Sequence, residues 1–168
     1  VDEIRPRFGM RRVGHGGTLD PAATGLLILL LGEATRKAGT LLETDKSYLA
    51  TLRLGVTTDT QDAQGRILET KEVGPIPREQ IERVCARFRG EIEQEIPAYS
   101  AVRIGGKRSY DLARARVAVP RRTRPVRIHE LEVLDVRLPQ VDLSITCSKG
   151  TYIRTLCADI GAALGVGG

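Results

Sequence analysis

The sequence predicts an α/β fold of the α+β type, with a mixed, mainly antiparallel sheet and flanking helices. Segments with the two-residue alternation of strands outnumber those with helical spacing, and the connections between them are short enough for hairpins. The chain has 168 residues, 41% of them hydrophobic, so it can bury a core and is not disordered. Its longest apolar run, Leu26–Leu31, is too short to span a membrane.

Turn residues and periodicity place the elements in the first half of the chain. The glycine-rich stretch 13–21 ends in Asp20-Pro21, which predicts extended or turn backbone leading into a helical turn. Leu26–Leu31 predicts a buried strand, although its pattern also fits a helix. Residues 33–43 have helical spacing. Two strands are predicted next, at 47–54, with Tyr48 on its apolar face, and at 66–73.

The second half combines helices and strands in the same way. Residues 77–90 predict the clearest amphipathic helix, and 108–116 predict a short one after a Gly105-Gly106 turn. The strand predicted at 126–138 changes phase near Glu130, which indicates a bulge. Residues 141–147 alternate strictly as a half-buried strand, and Lys149-Gly150 then turns the chain into a final helix.

The positive charge is concentrated in one stretch. The formal net charge is +5, but Arg103–Arg127 has nine basic residues and one acid, so the rest of the chain is net negative. This distribution is typical of a surface that meets a polyanion, although a solvated basic loop also fits it. Most of these residues are arginines, which favours bidentate contacts with phosphate.

The cysteines and the N-terminal residues indicate the compartment. The three cysteines are widely spaced and form no C-x-x-C pair, so we expect neither a disulfide framework nor a zinc site. Asp2–Arg7 is not a signal peptide. We therefore expect a protein of the reducing cytoplasm, without a membrane segment.

Three residues are candidates for a functional site, and for each the sequence also fits a purely structural role. Asp20 lies among glycines that allow a ligand to approach the backbone, but it also fits a helix cap. Tyr48 fits a core aromatic residue, but at a strand start its hydroxyl can open onto a cleft. Arg154 lies in a first helical turn, where the dipole disfavours a cation. We expect either an anionic partner for it or an exposed side chain.

At these segments the chain resembles the bacterial tRNA pseudouridine-55 synthases, the TruB type of pseudouridine synthase. The matching motifs occur in family order and cover nearly all of the chain. They are Gly14–Gly25, Gly32–Arg36, Lys46–Tyr48 with Arg53–Gly55, Thr58–Thr60 with Asp62-Ala63 and Gly65, Tyr99–Ala101, Gly106–Arg108 with Tyr110, and Ser148–Arg154.

The resemblance implies a role for each matching site residue. Asp20 matches the family's essential catalytic aspartate, and Arg154 matches an arginine that pairs with it. Tyr48 matches the tyrosine that stacks on the flipped uracil. Tyr152 matches another active-site residue, and His15 matches a histidine that contacts the everted region of the T-loop.

The resemblance also implies an RNA-binding insertion. Residues 97–127, approximately, look like the mobile thumb that closes over the T-arm of tRNA. We expect the phosphate contacts to come from Arg103, Lys107, Arg108, Arg114, Arg121, Arg122 and Arg124. The implied reaction is redox neutral and its uracil leaving group stays bound, so we expect no cofactor and no metal. We expect a monomer.

The chain departs from the family pattern at three places. The family has a strand with a Lys-Pro-x-Gly motif before the position of Val1, continues beyond the position of Gly168, and has Pro where this chain has Ile96. We therefore expect residues 1–168 to form a partial catalytic domain.

Two other functions stay open, as does the chemical route. A non-catalytic RNA-binding module fits the arginine cluster but gains nothing from Asp20. The guide-RNA-dependent relatives of eukaryotes and archaea share Thr18–Pro21 with this chain. Asp20 can act either as a nucleophile or as a base that generates a glycal.

Overall fold

A computed structural model describes residues 1–100, 102–115, 117 and 120–168, with the backbone alone at 104, 107, 108, 113 and 114. The chain forms two compact units, Val1–Asp45 and Lys46–Gly168. In this described part, strands outnumber helices and every paired strand is antiparallel. The predicted α+β class with a mainly antiparallel sheet is therefore confirmed.

The first unit is a two-stranded sheet followed by a helix. Its elements are α1 Ile4–Arg7, β1 Val13–His15, β2 Leu29–Leu31, a 3₁₀ helix Gly32–Lys37 and α2 Ala38–Leu42. The strand predicted over Leu26–Leu31 is confirmed at Leu29–Leu31, where Leu30 is buried, but its predicted extent is wrong, because Leu26 lies outside the strand and is 88% exposed. In this unit β2 pairs with β1 alone, and a two-stranded sheet supplies few atoms to cover an apolar run.

The second unit contains the main sheet. Its elements are β3 Lys46–Arg53, β4 Val56–Thr58, β5 Ile67–Thr70, α3 Arg78–Ala86, β6 Gly90–Glu95, β7 Arg103–Ile104, β8 Lys107–Arg108, α4 Ser109–Arg114, β9 Thr123–Arg137, β10 Gln140–Cys147 and α5 Ile153–Ala163. The main sheet has the order β3-β10-β9-β6, while β4-β5 and β7-β8 are separate hairpins.

The hydrophobic core contains side chains of α3, α5 and one face of the main sheet. On β10 the residues alternate between buried and half-buried, as the sequence predicts for residues 141–147. On β3 the alternation places Tyr48, Ala50 and Leu52 toward the core and leaves Leu49 81% exposed. The fully covered side chains include Leu52, Ile81, Cys85, Ile128, Leu131, Val141, Leu143, Ile145, Leu156 and Ile160.

Strand β9 has the predicted bulge. Its pairing with β10 shifts register where Thr146 faces Glu130 and Cys147 faces Ile128, so the pairing passes over His129. A second shift passes over Leu134. At its other edge β9 pairs with β6 over residues 123–128, before the first extra residue. The extra residues explain why the alternation of β9 changes phase near Glu130.

Candidate active site

In the first unit, the glycine-rich segment ends in a β-turn. The backbone N–H of Ala23 donates to the carbonyl oxygen of Asp20 at 2.9 Å, and Pro21 takes the second turn position, which suits its fixed φ. The predicted helical turn at Pro21 is wrong, and with it the interpretation of Asp20 as a helix cap. Gly25 has φ +146°, a conformation available in practice only to glycine, so a helix cannot continue there.

This turn leaves Asp20 exposed. His15, at the end of β1, is also exposed, and its Nδ1 is hydrogen-bonded to the carbonyl oxygen of Gly17. Since a carbonyl oxygen only accepts, Nδ1 is the donor in this bond. Gly16 lies against Leu41 of α2, and a Cβ at Gly16 would be 3.2 Å from Leu41 Cβ. The absence of a side chain at Gly16 thus lets the glycine-rich segment pack closely against α2.

In the second unit, Tyr48 lies on the core-facing side of β3, directly opposite Ile145 of β10. The ring is half-buried and packs against the hydrophobic core. Half-burial agrees with both interpretations from the sequence, since a core aromatic and a ring at a cleft edge each have this exposure. The role of Tyr48 stays a prediction.

A tight turn joins β10 to α5. Gly150 has φ +77°, and a Cβ there would stand 2.5 Å from the guanidinium of Arg124. The positive φ favours glycine. Arg124 Nη1 donates to the Gly150 carbonyl oxygen at 3.2 Å, and the guanidinium lies 5.6 Å from the centre of the Tyr152 ring. Arg124 therefore supports the turn and contacts the ring of a predicted site residue.

A buried amide holds the backbone of Tyr152. Gln94 of β6 is 0% exposed, and its Oε1 accepts the backbone N–H of Tyr152 at 2.7 Å. The same side chain donates from Nε2 to the carbonyl oxygen of Tyr152 at 3.1 Å. Tyr152 caps α5 with an extended backbone, so its N–H has no partner within the helix. Gln94 satisfies it.

The Arg154 guanidinium bridges two loops. Nη1 donates to the Thr60 carbonyl oxygen at 2.7 Å and Nη2 to the Tyr99 carbonyl oxygen at 3.1 Å. Arg154 is half-buried. The expected exposed side chain is therefore wrong. An ion pair of Arg154 with Asp20 stays a prediction.

The loop that contains Thr60 is held by its own hydrogen bonds. Asp62 accepts from Thr60 Oγ1 at 2.6 Å and from the Gln64 backbone N–H at 3.0 Å. Gly65 closes the loop so tightly that a Cβ there would lie 2.2 Å from Thr60 Oγ1. Gln61, with φ +59°, accepts from the buried Thr155 hydroxyl at 3.0 Å. Two hydrogen bonds therefore connect this loop to the first turn of α5, one from Arg154 to Thr60 and one from Thr155 to Gln61.

Sequence reasoning assigns no role to Gln94 or Gln61. A signal exists for Gln94, because it occupies a core-facing position of β6 two residues after Ile92. A polar side chain on an apolar face needs a partner. No comparable signal marks Gln61, whose importance comes from a backbone conformation that sequence patterns do not reveal.

The predicted RNA-binding residues divide into three groups. Arg103, Arg121 and Arg122 are exposed, and Arg121 lies 3.6 Å from a carboxylate oxygen of Glu95. Arg124 lies against the site, and residues 123–127 belong to β9 rather than to a loop. The side chains of Lys107, Arg108 and Arg114, and all of Arg116, lie outside the described residues.

One carboxyl group on α5 has a shifted pKa. Burial, and then the negative charge of Glu95, raise the pKa of Asp159 above its ordinary value. Among the described residues no group of three or more His, Cys, Asp or Glu side chains could hold a metal ion. Within the same part of the chain no helix is long and apolar enough to cross a membrane.

A family model identifies the chain. The N-terminal domain of TruB family pseudouridylate synthases matches residues 5–153, which include the segments that contain Asp20, Tyr48 and Tyr152. The chain belongs to the TruB family. A tRNA pseudouridine synthase B of Mycobacterium sp. (strain KMS) is 49% identical over 100% of this chain and 58% of its own length. The chain thus spans little more than half of that TruB-family relative.

Solved structures support the TruB-type fold. The chain is similar to a protein in the crystal structure of a Cbf5-Nop10-Gar1 complex, with a TM-score of 0.73 and 32% identity over 99% of this chain and 40% of that one. It is also similar to a protein in an H/ACA RNP bound to a substrate RNA containing 2'-deoxyuridine. There the TM-score is 0.68 and the identity 30%, over 99% of this chain and 38% of that one.

Proposed function

We propose that the protein isomerises uridine to pseudouridine at position 55, in the T-loop of tRNA, with Asp20 as its catalytic residue. The observation that carries the proposal is the 49% identity over the whole chain to a tRNA pseudouridine synthase B. The position in tRNA and the role of Asp20 rest on the motif Gly14–Gly25, where the sequence resembles the family.

The chemistry of the isomerisation explains why a few types of side chain are enough to catalyse it. The reaction breaks the N1–C1′ bond of uridine, rotates the detached uracil and forms a C5–C1′ bond, after which C5 loses its proton and N1 is protonated. No electrons are gained or lost, so no redox cofactor is needed. An ionised carboxylate near C1′ or C2′ supplies either a nucleophile or a base. Asp20 is the only carboxylate in the glycine-rich segment.

Tyr152 and Arg154 fit a pre-organised site. Gln94 fixes the backbone of Tyr152, and two carbonyl oxygens fix the Arg154 guanidinium. Side chains held in this way need little reordering when substrate binds.

The target base must leave the RNA stack before it can react. Flipping costs a few kcal/mol, and stacking on an aromatic ring returns about 1–3 kcal/mol per base. Tyr48 is the residue that we assign to this stacking. Exposed arginines, among them Arg103, Arg121 and Arg122, supply phosphate contacts that position the T-arm without reading its sequence. We propose that a monomer carries out the reaction.

A guide-RNA-dependent function has weaker support. The similar protein in the H/ACA RNP structure is 30% identical to this chain, whereas the Mycobacterium relative is 49% identical. The Tyr99–Ala101 and Gly106–Arg108 motifs also resemble the bacterial tRNA enzymes. Both comparisons favour tRNA as the substrate without a guide RNA.

Release of a C5 hydrogen label tests the proposal. The complete natural protein is mixed with unmodified tRNA whose uridines carry tritium at C5. We expect about one equivalent of tritium per tRNA, since only formation of the C5–C1′ bond frees it. A matched tRNA with cytidine at position 55 should release none. Equal release from both tRNAs would refute the assignment to position 55, and no release from either would refute the activity.

A further inference from the structure

We propose that Gln94 is a positioning residue for Tyr152, and that its amide sets the direction in which the Tyr152 ring enters the candidate site. This inference rests on the proposed function, because it assigns Tyr152 to the reacting site. Gln94 itself is wholly buried, so we infer that it acts through Tyr152.

The hydrogen bonds require an amide at this position. Gln94 accepts from the N–H and donates to the carbonyl oxygen of one residue, Tyr152, at 2.7 and 3.1 Å. Two opposed bonds to one backbone residue fix both its place and its rotation, as pairing does in a sheet. A side chain that only accepts, or that has no polar atom, cannot make both bonds.

Packing alone does not explain this amide. Gln94 occupies a core-facing position of β6, two residues after Ile92, where an apolar side chain would fill the space without a polar group to satisfy. The Tyr152 carbonyl already accepts the backbone N–H of Leu156 at 3.1 Å, the ordinary bond of the first helical turn. The bond from Gln94 to this oxygen is therefore additional and is not needed to begin α5.

The chain that follows β6 also contacts Arg154. Five residues after Gln94, Tyr99 supplies one of the two carbonyl oxygens that hold the Arg154 guanidinium. Arg154 lies two residues after Tyr152. The start of α5 is thus joined to β6 through the Gln94 amide and to the segment that follows β6 through Arg154.

The test uses Gln94→Met, Gln94→Glu and a stability-matched control in the complete natural protein. Methionine has similar length and no amide. A control series at Ile81, with Val and Ala, removes buried atoms of α3 and leaves the Gln94 amide in place, and the member closest to Gln94→Met in Tm is used. Each variant is measured for Tm, tRNA Kd and single-turnover rate. The ring of Tyr152 is observed by the ¹⁹F resonance of 3-fluorotyrosine, assigned with Tyr152→Phe.

We expect Gln94→Met to lose at least tenfold in single-turnover rate, to keep tRNA Kd within a few-fold, and to shift or broaden the Tyr152 resonance. The Ile81 control of equal Tm should keep its rate within about twofold and leave the resonance in place. Equal losses of rate in both, with an unmoved resonance, would overturn the inference.

The Gln94→Glu variant adds a readout that a purely structural role would not move. A protonated carboxyl can accept from the Tyr152 N–H and donate to its carbonyl oxygen, whereas the carboxylate cannot donate. The ratio of the variant rate to the parent rate at the same pH should therefore rise as pH falls from 8.5 to 5.5, at a temperature where both stay folded. A ratio that does not change with pH would contradict the role of the amide.

The outcomes separate this inference from the proposed function. If the parent protein releases no tritium, the proposed function fails and the ¹⁹F spectrum alone decides whether Gln94 positions Tyr152. If the parent is active and Gln94→Met matches its Ile81 control in rate and spectrum, the inference fails and the proposed function stands. If Gln94→Met does not fold, the pH dependence of the Gln94→Glu rate ratio decides whether the amide positions Tyr152.

Discussion

Arg154 Nη1 donates to the carbonyl oxygen of Thr60 at 2.7 Å, and this bond joins the first turn of α5 to the loop after β4. The second bond from the same guanidinium, to Tyr99, joins that turn to the segment after β6. One planar cation therefore sets the spacing of three segments of the chain. Lysine, with a single nitrogen at the end of a flexible stem, does not reproduce this geometry.

We predict that Arg154→Lys lowers the single-turnover rate by at least tenfold and lowers the Tm by a few degrees. The charge is kept, so a loss reports the planar geometry of the guanidinium, with which it bonds both carbonyl oxygens. Arg83→Lys, on the exposed face of α3, is the matched control and should change neither value. A rate close to that of the parent would mean that charge alone is required at Arg154.

We predict that Asp20→Asn abolishes tritium release from C5-labelled tRNA and leaves tRNA Kd within several-fold of the parent. Asparagine keeps the shape of the side chain and the β-turn with Ala23, but removes the negative charge. Asp2→Asn, at another exposed position, is the control and should retain the parent rate. Residual turnover of Asp20→Asn near the parent rate would contradict a catalytic role.

We predict that changing Arg103, Arg121 and Arg122 together to Gln weakens tRNA binding and flattens its salt dependence. Each lost phosphate contact removes about 0.7–0.9 from the slope of log K against log salt, so three contacts remove about 2 to 3. The exposed set Arg66, Arg83 and Arg87, changed to Gln, alters the net charge equally. If both triple variants lower the slope to the same extent, the basic stretch makes no special contact with tRNA.

Local pattern predicted the fold well because most of the second unit follows it. The strict alternation at 141–147 and the phase change near Glu130 correspond to β10 and to the bulge of β9. The pattern failed over residues 26–28, where composition indicates a buried strand but the strand begins only at Leu29 and has a single partner. The helical turn predicted at Pro21 is instead a single β-turn, closed by the bond from the Ala23 N–H to the Asp20 carbonyl oxygen, and Gly25, with φ +146°, does not continue it as a helix.

The candidate site was only partly predictable. Motifs drew attention to Tyr152 and Arg154, since each stands in a segment that resembles the family. The groups that hold them, Gln94 and the carbonyl oxygens of Thr60 and Tyr99, depend on contacts between residues 55 to 94 positions apart. Backbone carbonyls have no sequence signature, so only the folded chain reveals them.

We predict that Asp159→Asn stabilises the protein more at pH 7 than at pH 4. Burial and the Glu95 charge raise the pKa of the Asp159 carboxyl in the folded state. The folded state therefore keeps this proton at a pH where the unfolded chain has lost it, and stability falls as pH rises from the ordinary value through the raised one. Asparagine removes this loss, so the Tm difference between variant and parent should grow with pH. Adding Glu95→Gln should shrink the difference, and equal Tm differences at both pH values would contradict the prediction.

The last prediction separates the two interpretations of Tyr48. If its ring only packs against the core, Tyr48→Phe should be nearly silent, and Tyr48→Leu should cost roughly 1–3 kcal/mol of stability. If the ring stacks on a flipped uracil, Leu should lower the single-turnover rate severely at a temperature where the variant stays folded.

We expect Tyr48→Phe to keep tRNA binding and to lose most of the single-turnover rate. A ring that only packs needs no hydroxyl, so the hydroxyl of Tyr48 indicates a part in the reaction. A hydroxyl that takes part in the reaction can remove a proton from C2′ or C5. Phe88→Leu is the matched control, since Phe88 is also half-buried against the same core. Phe88→Leu should lose stability and keep its single-turnover rate.

The decisive measurement is Tm against single-turnover rate for the parent and the three variants. If rate falls only where Tm falls, along one line that includes Phe88→Leu, Tyr48 is a core residue and its assignment to the uracil is wrong.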